Sequence, residues 1–390
     1  MSHVAMVIPT IDRIGGAERQ VALLARGLRS RGWRVSVVAL SGTGGAEADE
    51  LVAAGVEYLS LGMRKGLADP RGWVRMNRWL RTEQPEIVHA HLPHAAWIAR
   101  WSRMAAPVRA VGDTIHSSSV GTFGRRLGYR WSRWLPDFVT AVGEGARDAY
   151  VASRMAARDQ CIVLPNGIDV GAWRPNAEAR TRRRHELGLT DEFIWLAVGR
   201  LDPVKDYETA LRAFAQVDER ARMLIAGSGP MEDELRKLAS ALQIEERLRF
   251  LGFEPDVRGW MQAADGFLLS SRWEGLPMAL IEAAACALPA VATDVPGTRE
   301  AVADGETGWL APVGSPAKLA GKMRRLMYAT ATGRREMGAR ARERVVERFS
   351  LDSALDRWEA LYRELLAGHP TPRRWARKRP SGVTRGQAGD

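Results

Sequence analysis

The 390-residue sequence predicts an α/β chain built as two doubly wound domains in series. Three observations carry that expectation. Short apolar runs alternate with amphipathic helical stretches along nearly the whole chain, as βαβ units require. A polar, arginine-rich stretch at Arg174–Arg184 reads as a crossing linker between two such series. The length suits two domains of about 100–200 residues each, and 46% apolar residues suffice to fill their cores.

In the first series, Val4–Pro9 is a buried strand and Gly16–Gly32 a helix, with Val21, Leu24, Ala25 and Leu28 at helical spacing and a glycine at its end. Strands follow at Trp33–Leu40, Val56–Leu61, Ile87–His91, Val108–Asp113 and Phe138–Val142, and Cys161–Asp169 closes the half on a strand and a turn. The second series begins at Phe193–Arg200 and continues through Ala221–Gly227, Leu248–Phe253, Gly266–Ser271, Pro289–Thr293 and Gly308–Pro312. Its clearest helices are Tyr207–Val217, Met231–Leu242 and Met278–Cys286. A last helix, Asp352–Ala367, carries Leu355, Trp358, Leu361, Tyr362 and Leu365 on one face. The expected division is 1–172, 173–351, the returning helix 352–367, and a basic disordered tail 368–390 rich in Pro, Arg and Gly.

Composition excludes several classes. Two distant cysteines, Cys161 and Cys286, give neither a disulfide framework nor zinc-ligand spacing, and fit a reducing cytosol. No apolar run approaches the ~20 residues of a membrane span, and the start lacks the pattern of a signal peptide, so the expected location is cytoplasmic. The net charge of +11 is carried by 51 Arg against 6 Lys, and the tail from Gly368 contributes +5 of it, with six basic residues and one acid. The mildly basic remainder suits phosphate-bearing ligands or an anionic membrane surface. A nucleic-acid-binding reading rests on charge alone, with no recognition helix, RNP motif or finger spacing behind it.

Ligands of open α/β sheets bind at the carboxyl ends of strands. Gly15 and Gly16 follow the first strand and open a helix: either a turn that lets a phosphate approach backbone N–H groups, or a plain tight turn. Arg200 ends a strand and Lys205 lies five residues on; two exposed cations there either clamp a diphosphate without a metal or are simply solvated. In SRWEGLPMALIEAAACALP, Glu274 and Glu282 stand eight residues apart, with Pro277 as the first helical residue. Both then face one crevice, one accepting hydroxyls from a sugar and the other from a ribose. The competing assignment, a helix-start acid and a surface glutamate, fits Glu282 poorly within ALIEAAACAL.

The segments GGAERQV, NGID, VGRLDPVKD, AGSGP, LGF with DVRGWMQAAD, and SRWEGLPMALIEAAACALPAVATDVPGTREAV followed by DGETGWL resemble the retaining glycosyltransferases of family 4, over about Val4 to Leu366. The resemblance implies the GT-B fold: two Rossmann-like domains facing a cleft, with a nucleotide-sugar donor, leaning to a UDP-sugar, as substrate and no cofactor or metal. It implies donor binding by Gly15, Gly16, Arg200, Lys205, Glu274, Gly275, Leu276, Pro277 and Glu282, with Arg200 and Lys205 on the diphosphate, Glu282 on the ribose and Glu274 near the transferred sugar. His116, in DTIHS, matches the histidine lining the acceptor side, so His116, Arg200, Lys205 and Glu274 form the expected catalytic set. The family commonly has Gly after the lysine, where this chain has Asp206. His89, His91 and His94 invite a metal assignment, but strand-end histidines recur there in relatives without one.

The implied reaction moves a sugar with retention onto a glycan or lipid-linked acceptor in envelope polysaccharide, lipopolysaccharide or glycolipid assembly. The alternatives are another enzyme of the same fold, such as a sugar-nucleotide epimerase or phosphorylase. Finally, Phe123–Asp137 puts Leu127, Trp131 and Trp134 on one helical face among Arg125, Arg126, Arg130 and Arg133. It is either an amphipathic membrane-surface helix, helped by the basic tail, or an ordinary helix with its tryptophans in the core.

Overall fold

The computed structural model describes residues 1–12, 15–64, 69–119, 121–189 and 191–368. Seven strands form one sheet: β1 (His3–Ile8), β2 (Arg34–Ala39), β3 (Glu57–Ser60), β4 (Ile87–His91), β5 (Ala110–Ile115), β6 (Phe138–Ala141) and β7 (Cys161–Val163), in the order β3-β2-β1-β4-β5-β6-β7. Six form another: β8 (Phe193–Val198), β9 (Ala221–Ala226), β10 (Leu248–Gly252), β11 (Gly266–Leu269), β12 (Ala290–Thr293) and β13 (Gly308–Ala311), in the order β10-β9-β8-β11-β12-β13. Every pairing in both is parallel.

Each sheet grows outward from its first strand and then reverses. The reversal falls between β1 and β4 in one sheet and between β8 and β11 in the other. There the two outgoing loops diverge and leave a crevice at the strands' carboxyl ends. The loops after β1, β5, β8 and β11 are the ones that carry the predicted site residues.

The strand β5 and the stretch Arg174–Arg184 differ from the sequence reading. β5 begins two residues later than Val108, because Ile87 pairs with Ala110 and the register then runs through His91 opposite Thr114. The shift carries the strand on to Ile115 and puts His116 directly at its carboxyl end. The stretch Arg174–Arg184 is not a bare linker. Ala177–Glu186 is a helix whose start is capped by Asn176, the side chain accepting from Ala179 N at 3.0 Å. Two of its four arginines are structural: Arg180 and Arg184 pair with Asp265 at 2.5 and 3.0 Å, tying the helix to the entry of β11.

The final helix, Leu351–Leu366, buries Leu355, Trp358, Leu361, Tyr362 and Leu365 in a cluster with β1 and the helix Gly16–Ser30. A Cβ on Gly27 would stand 2.6 Å from Leu355 Cδ1, so that glycine lets the two helices approach. Arg31 bridges Asp352, Asp356 and Glu359, and Trp33 Nε1 donates to Glu359 Oε1 at 2.8 Å.

The helix Phe123–Trp131 turns Tyr129 inward, over Arg100 and beside the fully buried Arg100–Asp113 ion pair. Trp134 lies beyond the helix rather than on it. Ser132 caps the helix's end by donating to Gly128 O at 2.8 Å, and the chain turns there. Phe123, Trp131 and Trp134 are nonetheless exposed, at 74%, 73% and 67%, which excludes the core-packed assignment for these tryptophans. The side chain of Arg125 and the tail from His369 lie outside the described residues. Among the described residues no helix is long and apolar enough to cross a membrane.

Candidate functional site

The corner after β8 is shaped by glycines. A Cβ on Gly227 would collide with the carbonyl oxygen of Gly199, and one on Gly229 with that of Leu201. The AGSGP loop therefore lies directly against the segment that presents Arg200. The Arg200 side chain is 78% exposed, with a loose 3.6 Å contact to Asp202. Lys205 is not the exposed cation the sequence suggested. Its side chain is 23% exposed, and its Nζ sits 2.6 Å from Glu274 Oε1, which also accepts from Ser271 Oγ at 2.6 Å. The loop after β11 folds onto this corner: Ser270 Oγ donates to Lys205 O and Arg272 N to Val204 O, both at 2.8 Å.

Asp206 takes a left-handed backbone, φ 49°. That explains the glycine expected there, and also why Asp serves. Its short side chain tolerates the conformation, and it caps the helix Tyr207–Phe214 by accepting from Thr209 N at 3.4 Å, while Thr209 Oγ1 donates to its other oxygen at 2.9 Å.

Pro277 is the N-cap of the helix Met278–Ala285, with extended backbone, so it precedes the first helical turn instead of beginning it. Its ring and Leu276 are buried, which leaves only backbone at these two positions to meet a ligand. Glu282, one turn further in, is 7% exposed. Burial pushes its carboxyl up to about 7, against the pull of Arg19, whose Nη1 is 3.4 Å from Oε1.

The loop bearing Glu274 meets the first sheet's loops closely. Ser118 Oγ donates to Glu274 O at 2.8 Å, and a Cβ on Gly275 would stand 3.1 Å from His116 O. Gly143 and Gly145, after β6, face the same loop: a Cβ on Gly143 would fall 2.6 Å from Gly275 O, and one on Gly145 3.2 Å from Glu274 O. Glu300 Oε1 accepts from Glu144 N at 2.7 Å, and burial raises this carboxyl to about 7.

His116 Nε2 lies 3.0 Å from His91 Nδ1, and burial lowers the His116 pKa to about 4, so the ring is neutral near pH 7. Among the described residues, His116 Nδ1 has no hydrogen-bond partner. His89 is engaged by Tyr362 and Thr114, each at 2.6 Å. Among the described residues no group of three or more His, Cys, Asp or Glu is arranged to hold a metal ion.

Gly15 is the N-cap of the helix Gly16–Ser30, and Gly16 faces open space. The carboxylate of Glu18 lies back over the helix start: a Cβ on Gly15 would fall 2.5 Å from its Oε2. Burial raises this carboxyl, and hydrogen bonds from backbone at Gly15 and Glu18 oppose that. An acid here complements the positive end of the helix.

Two family models match consecutive parts of the chain: Glycosyltransferase Family 4 over residues 14–172 and Glycosyl transferases group 1 over 179–344. The chain belongs to the family 4 glycosyltransferases. Among relatives of this family, N-acetyl-alpha-D-glucosaminyl L-malate synthase of Bacillus anthracis is 28% identical over 305 residues, 75% of this chain and 78% of that one. The UDP-Gal:alpha-D-GlcNAc-diphosphoundecaprenol alpha-1,3-galactosyltransferase of Escherichia coli is 24% identical, over 63% of this chain and 67% of its own. Anabaena HepE, solved in complex with UDP-glucose, superposes with a TM-score of 0.79 at 21% identity, covering 92% of this chain and 99% of that one. The two parallel sheets are thus those of the GT-B fold.

Within this family 4 chain, the predicted residues fall into three contacts. Lys205 meets Glu274, His116 meets Gly275, and the helix that starts at Gly16 meets Glu282 through Arg19. Arg200 stands apart, bonded only within its own loop among the described residues. Sequence reasoning missed Arg19, Ser118, Ser271 and the glycines of VGEG. A Gly-x-Gly between a strand end and a helix start was a legible signal of close backbone approach; the other three become visible only in three dimensions.

Proposed function

We propose that this glycosyltransferase moves a sugar with retention from a UDP-sugar to a glycan or lipid-linked acceptor in cell-envelope polysaccharide, lipopolysaccharide or glycolipid assembly. The observation that carries the reading is the Lys205–Glu274 pair at 2.6 Å, set where the second sheet reverses and against the His116 loop of the first. Arg200 and Lys205 would hold the donor diphosphate and offset the negative charge that grows on the leaving phosphate. Glu274 would take hydroxyls of the transferred sugar and Glu282 those of the ribose. His116, neutral and behind the Glu274 loop, would line the acceptor side. No metal or cofactor is required in this scheme, since Arg200 and Lys205 supply the positive charge. The departing phosphate would itself accept the acceptor's proton, giving front-face retention.

Relatives named for UDP-sugars and for diphosphoundecaprenol-linked acceptors support the donor and acceptor classes. Peripheral binding to an anionic bilayer is supported by the exposed Phe123, Trp131 and Trp134 beside exposed Arg126, Arg130 and Arg133. The test is transfer from a panel of UDP-sugars, with the product's anomeric configuration read by NMR and the assay repeated in EDTA. Retained configuration and full activity in EDTA are expected. An inverted product, or activity lost in EDTA and restored by Mg²⁺ or Mn²⁺, would contradict the scheme. Sedimentation with anionic vesicles should fall sharply in Arg126→Glu/Arg130→Glu; equal binding to neutral vesicles would remove the membrane part.

A further inference from the structure

The first turn of the helix Gly16–Ser30 sends Arg19 across to the second sheet's domain. Its guanidinium bonds Glu282, 263 positions along the chain, at 3.4 Å. The two ends of this contact are unlike. The Arg19 side chain is 44% exposed, whereas that of Glu282 is 9% exposed within an otherwise apolar helix. Among the described residues, Arg19 is the hydrogen-bond and ion-pair partner recorded for that carboxylate. A carboxylate so placed needs a donor to remain ionised, and with only 9% of its side chain exposed it offers little surface to a second donor beside Arg19.

The inference rests on the reading of Glu282 as the ribose-binding residue. We propose that Arg19 competes with the ribose of the donor nucleotide for the Glu282 carboxylate, so that this ion pair between the domains sets the ribose selectivity of the donor site. A ribose diol presents two neutral hydroxyl donors where the guanidinium presents a charged one. Its arrival therefore breaks the pair and releases the guanidinium toward solvent. Glu47, on a neighbouring helix, is already paired with Arg26 at 3.3 Å, so the displaced cation goes to solvent. Since the Arg19 side is half open, the lost pair is worth no more than a typical partly exposed one, about fivefold in affinity.

The test is calorimetric titration of the full chain with UDP and with 2′,3′-dideoxy-UDP, in wild type, Arg19→Ala, Arg19→Lys, Glu282→Gln and the Arg19→Ala/Glu282→Gln double variant. Arg19→Ala should tighten UDP about fivefold and leave the dideoxy ligand unchanged, with Arg19→Lys between. The effect should vanish in the Glu282→Gln background. If Arg19→Ala weakens both ligands alike, the guanidinium is a phosphate contact and the competition is wrong. If Glu282→Gln lowers the preference for ribose but Arg19→Ala does not raise it, the pair is merely solvated and the inference falls alone. If Glu282→Gln leaves the preference untouched, the ribose assignment itself falls and takes the inference with it.

Discussion

Two carboxyls at the domain contact, Glu282 and Glu300, are both pushed up to about 7 by burial. A carboxyl whose folded pKa is raised favours the protonated form in the fold. Its stability is whole below the ordinary carboxylate range, near 4.5, and is lost as pH rises toward 7. For the well-buried Glu282 the slope within that window approaches ~1.4 kcal/mol per pH unit. Melting temperature should therefore decline between about pH 5 and 7, and Glu282→Gln, which cannot ionise, should flatten the decline. Parallel wild-type and variant curves would show that Glu282 does not carry the raised pKa. Glu282 was legible in the sequence, because a glutamate inside ALIEAAACAL has no surface to reach, whereas nothing there singled out Glu300. Their partners were not, since Arg19 and Glu144 arrive from far along the chain.

At the scale of elements, the helix that carries Glu282 is held from behind by the helix Ala331–Phe349. Gly338 is the point of closest approach: a Cβ there would run into the backbone carbonyl of Ala287, just after the Glu282 helix. Helix propensity alone favours Gly338→Ala by about 1 kcal/mol. Packing should overrule it, because a backbone oxygen cannot swing aside as a side chain can. The variant should lose about 1–3 kcal/mol net, read as a fall of several degrees in melting temperature, and a rise would show that the helices separate without cost. All thirteen strands among the described residues were readable from apolar runs bounded by turn residues. What failed was the helix Ala177–Glu186, whose arginines look like solvated linker until Asp265 is placed beside them. The two-residue offset of β5 likewise came from its neighbour's register, which no local pattern contains.

Over the whole molecule, two sheet reversals face one another across loops thinned by Gly143, Gly145, Gly275 and Gly297. The sequence carried the two halves and the residues at their strand ends. It could not carry the pairing of Lys205 with Glu274, which turns an expected free cation into half of an ion pair. The central claim is that the two glutamates divide the donor between them, and calorimetry of UDP binding beside a transfer assay tests it most directly. Glu282→Ala should weaken free UDP, which contains the ribose. Glu274→Ala should bind UDP nearly as wild type does yet transfer sugar poorly, because its partner is present only in the intact donor. The reverse pattern, with UDP lost in Glu274→Ala and kept in Glu282→Ala, would contradict the account.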